Sequence, residues 1–381
     1  MGWFPRSIDS EANQWQFDIV GLLAVIGGSA LEKHLPAITA SPFSAFPRLL
    51  PAPESLLSTE RSHRLPAVKN IRVVGIQSGN LVGELNYFAD LIHNVESLPS
   101  FMVKVCHIRH HRDVEGQDKP GQQGDSGRPI RIQPFCWLNI VTWLSVLILA
   151  GLLVAAGVLH DGVALLALAT MSCSTSAASL SALWSPSLAQ RTASNQVPPA
   201  NVVLVTRGGA FVVVNCDEYV CRELYTGKDD CSYRYNRTGH RSLLATSTLL
   251  LMAAVILFGS CTWRMQIAVG SAYIVLNAMY WLLALLVEPR DIWDLTRYEV
   301  EEESSTRATN FTQALWLAIH HAGDTKWVRR ADAAPISDAW DQWLAEAKRN
   351  VHNIDWDAVG CKDRLMRAAV EEHKSTVALL R

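Results

Sequence analysis

The 381-residue chain is 49% hydrophobic and only 18% charged, with a formal net charge of -2. Soluble proteins carry about 25% charged residues, so apolar sequence must be concentrated somewhere; the near-neutral balance excludes a strongly basic nucleic-acid binder and an acidic tail protein. A mean hydropathy of +0.11 averages polar stretches with four long uncharged runs.

Residues 1–14 read as a polar tail. Their acidic residues and Trp3 do not fit a secretory signal, and Arg6 stands where a myristoylation site after Gly2 wants Ser or Thr. Residues 15–35 form a candidate transmembrane helix. Its uncharged heart, Ile19 to Leu31, is too short alone, but the longer stretch suffices with Asp18 and Glu32 at the two interfaces. Residues 36–69, with six prolines from Pro36 to Pro66, are expected to be mostly loop.

Residues 70–135 return to order. Asn70–Gly75 reads as a strand, Asn80–Glu96 as a helix with Leu81, Leu85, Phe88, Leu91, Ile92 and Val95 on one face, and Phe101–Ile108 as a second strand. Glu115–Arg128 is a Gly, Gln and Asp-rich linker. Residues 136–184 and 242–287 are each expected to form a transmembrane helical hairpin. Trp137–Leu159, Gly162–Trp184, Ser242–Trp263 and Met265–Val287 carry no charge, and as helices of 22 or 23 residues each reaches about 33 Å, enough for a hydrocarbon core. The intervening His160-Asp161 and Trp263-Arg264 leave room only for tight turns, and Trp137, Trp184, Trp263 and Trp281 mark interface levels.

Between the hairpins, residues 185–241 show a β-hairpin signal: Asn201–Thr206 and Ala210–Cys216 flank Arg207-Gly208-Gly209, and Asp217 can cap a helix through Leu224. Residues 288–381 read as helical and Trp-rich, with helices at Phe311–His321 and Asp338–Arg349, while the acid cluster Glu299–Glu303 suits docking on protein better than on anionic lipid. Six Lys and Arg between Ser100 and Cys136 and seven between Ser185 and Arg241, against none and one at the hairpin tips, place the long polar segments in the cytosol. The sequons at Asn236 and Asn310 are then chance matches.

The expected fold is mainly α: an α-helical multi-pass membrane protein of four spans plus a candidate N-terminal fifth, with a small cytosolic α/β domain and a helical C-terminal region. The α/β domain would be assembled from both sides of the first hairpin. The chain resembles a family of uncharacterised multi-pass integral membrane proteins of filamentous fungi. The likeness lies in Ile71–Gly75, LVGELNY at Leu81–Tyr87, GAFVVVNCDEYVCRELY at Gly209–Tyr225, AYIVLNAMYW at Ala272–Trp281, WDLTRYEVE at Trp293–Glu301 and WVRRADAAPISDAWDQWLAEA at Trp327–Ala347. It implies an architecture and carries over no reaction, ligand or catalytic residue.

Candidate chemistry is sparse. Cys106-His107-Ile108-Arg109-His110-His111 is the densest set of metal-ligand types, but on a strand Cys106 and His110 share one face and His107 the other, so a solvated strand is the better reading. His160-Asp161 suits a polar turn. Gly75, Gly79 and Gly83 lack the Lys-Ser or Lys-Thr of a phosphate loop. The Ser, Thr, Cys and Ala content of Ala169–Ser181 points to close helix packing, with a hydroxyl-lined path second. The eight cysteines show no CxxC pair, which speaks against a zinc finger or disulfide framework. No catalytic, cofactor-binding or metal-ligating residue emerges. The reading is a non-enzymatic membrane-anchored protein-interaction module whose partners are the bilayer and cytosolic proteins, not nucleic acid. The alternative is a transporter or channel subunit acting as an oligomer, weakened by the lack of a charge inside the four spans.

Overall fold

The computed structural model describes residues 33–51, 53–111, 129–189 and 197–379, with side chains as far as 371. Most of the candidate fifth span and the Glu115–Arg128 linker lie outside them. In chain order the elements are α1 (Leu35–Ala40), β1 (Val68–Gly75), β2 (Leu81–Leu85), α2 (Tyr87–His93), β3 (Met102–His110), α3 (Trp137–Val158) and α4 (Gly162–Ala182). Then follow β4 (Val202–Thr206), β5 (Phe211–Cys216), α5 (Glu218–Cys221), α6 (Arg237–Gly259), α7 (Trp263–Leu286), β6 (Tyr298–Arg307), α8 (Phe311–Ala322), α9 (Lys326–Arg330), α10 (Asp338–Arg349) and α11 (Ala358–Leu379). They sort into two compact units, each interleaved along the chain.

One unit holds α3, α4, α6 and α7, each long and apolar enough to cross a bilayer. Their outward faces carry Leu147, Val154, Leu249, Ile256 and Leu286, all exposed, an apolar surface that water does not tolerate at this extent. The inward faces pack Leu152, Ala156, Ala164, Leu168, Met171, Phe258, Val269 and Leu276 into one core. Small residues let α4 and α6 approach closely: Ser174 Oγ donates to Ser247 O at 2.8 Å and Ser247 Oγ returns a bond to Ser174 O at 2.9 Å. The two helical tips are joined by a single carboxylate. Asp161 caps α4 by accepting from Ala164 N and also accepts from Thr262 N, both at 2.9 Å, the latter at the start of α7.

The proline-rich stretch is more than a connecting loop. After α1, 3-10 turns at Pro42–Ala45 and Pro53–Leu56 lie against α4, and Ser44, Arg48, Leu49 and Leu50 are all buried. Ser145 of α3 donates to Leu49 O, and Thr175 of α4 donates to Arg48 O at 2.6 Å. A charge therefore does lie inside the bundle, contrary to what the uncharged spans suggested. It arrives on the loop, where a search of the helices alone does not find it.

The other unit is a six-stranded mixed sheet in the order β6-β3-β5-β4-β1-β2. The β4–β5 hairpin turns through Gly209 at φ +74°, as its glycines foretold. β3 and β5 pair in parallel and every other neighbour antiparallel. One face, with Val103, Val105, Val203, Phe211 and Val213, packs on α8 to α11, whose Trp316, Trp327, Trp340 and Trp343 fill the core. The opposite face buries Ile71, Val73, Cys106, Ile108 and Val214, strands alternating as a pleat requires.

Three expectations need correction. Leu81–Leu85 is a strand, and the helix begins only at Tyr87; pairing with β1 overrides an apolar spacing that looked helical, in a segment Gly83 disfavours as helix. Residues 288–381 are not helical throughout, because Tyr298–Arg307, including the acid cluster, forms the sheet edge. β3 is not solvated: Val103, Val105, Cys106 and Ile108 are buried.

A buried carboxylate ties the unit together. After Asp217 caps α5 through Val220 N, the chain widens into a π-helical turn over Arg222–Thr226, which a bond from Gly227 N to Arg222 O at 2.8 Å closes. Only glycine fits at 227, where a Cβ would stand 2.2 Å from Arg222 O. The wide turn carries Glu223 inward. Its Oε1 accepts from Arg297 at 2.5 Å, and its Oε2 accepts from Tyr298 Oη at 2.8 Å and pairs with His110 Nε2 at 2.9 Å. Removing one member of a buried charge pair leaves the rest uncompensated, so Glu223→Ala is expected to lower the stability of this unit by about 3–5 kcal/mol, with Glu223→Gln costing less. Chemical unfolding of the purified chain measures it; an alanine variant as stable as the parent would show the cluster to be ornamental.

Candidate functional site

The strongest candidate is a pocket of about 620 Å³ at the end of the sheet where β4 turns into β5. The turn supplies Arg207, Gly208 and Gly209; the start of β1 supplies Asn70 and Arg72; Phe101 leads into β3; Phe311 opens α8; and Asp332 follows α9. Four of these are held in left-handed backbone: Asn70 at φ 65°, Phe101 at 62°, Gly209 at 74° and Asp332 at 44°. For Phe101 this conformation is disfavoured sterically, and such strain persists only where the surroundings impose it. Here the turn bond from Met102 N to Pro99 O and the bond from Ala308 N to Phe101 O hold the backbone on both sides.

The lining is mixed in chemistry. The Phe101 and Phe311 rings press on Gly209, whose added Cβ would lie 3.2 and 3.1 Å from them. Arg72 bonds Ala331 O and pairs with Asp332 at 3.0 Å, but both side chains are largely exposed, so this pair adds little stability and can exchange for an incoming anion. Arg207 stands exposed at the rim. The pocket thus offers two guanidinium groups beside two aromatic rings and no nucleophile with an activating base.

The residues singled out from sequence are dispersed. Cys106 points to the α2 face of the sheet, where burial pushes its thiol up to about 11. His107 pairs with Glu303 at 2.9 Å on the opposite side, and His110 is taken by Glu223. Among the described residues no three His, Cys, Asp or Glu side chains converge as a metal site. The hydrogen bond to Cys221, reinforced by burial, raises the Cys216 thiol and leaves it no nucleophile. His160 sits in a turn at φ 54°. Gly79 makes a left-handed turn beside Arg330. Asn236 and Asn310, the sequon residues, cap α6 and α8 by accepting from Gly239 N and Gln313 N. Nothing in composition or spacing brought Asn70, Phe101 and Asp332 together; their one shared signal is backbone conformation.

Glu223 is saturated rather than poised. Burial would raise its carboxyl, but the hydrogen bond from His110, the charges of Arg297 and His110 and the Tyr298 hydroxyl together hold it below the usual range. His93 is held neutral in the folded chain. Fully buried at the end of α2, with Nε2 2.6 Å from Tyr225 Oη, it is driven down to about 3 by burial, with the charge of Lys104 adding to the effect.

Comparison of the chain with protein-family models, with curated proteins and with solved structures finds no match.

Two outcomes are expected. His93 is neutral in the folded chain and titrates normally when unfolded, so between about pH 6.5 and pH 3 the unfolded state binds one more proton. Stability then falls with acidification by up to about 1.4 kcal/mol per pH unit. Unfolding measured from pH 7.5 down to pH 5 should show this slope, and His93→Gln should flatten it. Gly209→Val places a branched side chain at a positive φ against two rings and is expected to cost about 1–3 kcal/mol, read as a lower unfolding midpoint.

Proposed function

We propose that this chain is an integral membrane protein whose α/β unit works in the cytosol as a recognition module, with the sheet-end pocket as its binding site. The pocket supports this reading above all: Phe101, for which left-handed backbone is sterically disfavoured, lines it beside Asn70, Gly209 and Asp332, also at positive φ, and strain such as that at Phe101 gathers at ligand clamps. Arg72 and Arg207 beside Phe101 and Phe311 suit a short segment of a partner protein that carries an acidic group next to an apolar or aromatic side chain. The excess of Lys and Arg in the long polar segments supports the cytosolic side.

A second reading, a transporter or channel subunit working as an oligomer, draws on Arg48, an ionisable side chain buried among the helices.

Proximity labelling in cells separates the two. The full chain, an Arg72→Glu/Arg207→Glu variant, and a chain whose four spans are replaced by unrelated ones are compared with the labelling enzyme fused to the C-terminus. The recognition reading expects one set of neighbours for the full and span-exchanged chains, depleted about ten-fold or more by the double variant, as loss of two charge-assisted contacts implies. Neighbours that ignore the double variant and vanish on span exchange would overturn it in favour of the second reading.

A further inference from the structure

Arg48 is the most costly side chain in the bundle. It is 1% exposed, and no acidic residue among the described ones pairs with it. Nη1 donates to Phe43 O at 3.3 Å, while Nε and Nη2 have no hydrogen-bond partner among the described residues. These two nitrogens are not a random pair. In a guanidinium the Nε–H and the Nη2–H point the same way, and together they form the edge that grips two oxygens of one oxyanion. The edge left bare is thus the bidentate one.

The site around it is built. Ser145 stands eight residues inside α3 and Thr175 seven residues from the end of α4, so the Arg48 and Leu49 carbonyls that they hold lie about 10–12 Å within the bundle. The chain enters where Ser41 bonds Asn139 near the start of α3 at 3.0 Å, and farther on Arg61 donates to Ser181 O near the end of α4 at 2.6 Å, at the same end of that hairpin. Irregular backbone at such depth persists only where protein or a lined cavity satisfies it, and the two hydroxyls do so. Two further hydroxyls are idle: Ser44, on the turn that packs against α4, and Ser179, one turn from Thr175 on the same face, are both buried with no partner. Tyr280 of α7 lies within electrostatic range of the guanidinium.

We infer that the re-entrant segment Ser41–Leu50 builds an oxyanion site inside the helical bundle, in which the Nε/Nη2 edge of Arg48 takes two oxygens of a phosphate group and the Ser44 and Ser179 hydroxyls supply further donors. The phosphate comes either from a lipid headgroup entering from the bilayer or from a small soluble phosphate. This site is separate from the sheet-end pocket and stands without it.

The test uses the purified full chain in phosphatidylcholine nanodiscs, with unfolding followed by heat. Inorganic phosphate is titrated against chloride at equal ionic strength, and in a second arm phosphatidic acid replaces part of the phosphatidylcholine. The wild type is expected to gain roughly 5 °C in a saturable manner in at least one arm. A response to phosphatidic acid alone assigns a headgroup, and a response to inorganic phosphate assigns a soluble ligand. Arg48→Lys keeps the charge without the fork and is expected to bind about ten-fold more weakly; Arg48→Met is expected not to respond. No saturable gain in either arm of the wild type overturns the proposal whether or not the variants fold. So does an Arg48→Lys or Arg48→Met response equal to that of the wild type. Should neither variant fold, Ser179→Ala decides: a weaker response supports the site and an unchanged one overturns it.

Discussion

Three separated stretches of the chain meet on the carboxylate of Glu223. His110 comes from the polar segment before the first helical hairpin, Glu223 from the segment between the hairpins, and Arg297 and Tyr298 from the segment after the second. The sheet has the same origin, since β3, β5 and β6 are neighbours in space but belong to those three stretches. A cut hydrogen-bond ladder could be mended locally, whereas a buried carboxylate without its partners cannot be. The π-helical turn, closed at Gly227, delivers that side chain, and the pocket lies at the far end of the same strands.

The helical unit solves a related problem with the opposite sign. There the buried charge is positive, it comes from a loop, and its neighbours hold the loop by carbonyls rather than by the guanidinium itself. Glu223 is satisfied at every oxygen, and Arg48 is satisfied at one nitrogen of three. A satisfied buried charge speaks for architecture and an unsatisfied one speaks for a ligand.

The sequence carried the four long helices, because 22 uncharged residues have few other uses, and the β4–β5 hairpin, because its two glycines have a backbone meaning. It carried the caps at Asp217 and the buried tryptophan face of α10. It misread Leu81–Leu85, where an i, i+4 series coincided with a strand, and it hid β6, in which only Tyr298 is buried and no alternation survives. The pocket was invisible for a different reason. Positive φ at Phe101 is announced by nothing in the residue type, and Asn70 and Asp332, though of types that tolerate it, adopt other conformations as readily. Arg48 lies on a proline-rich segment folded back among the helices, and uncharged runs do not register such depth.

The interleaving of the two units also sets an order of assembly. A chain halted after α6 has β1 to β5 but no β6, so the outer edge of β3 stays open and Glu223 lacks both Arg297 and Tyr298. Its open edge is the kind of surface that chaperones and proteases recognise. Completion of the sheet therefore requires that both hairpins have already been made.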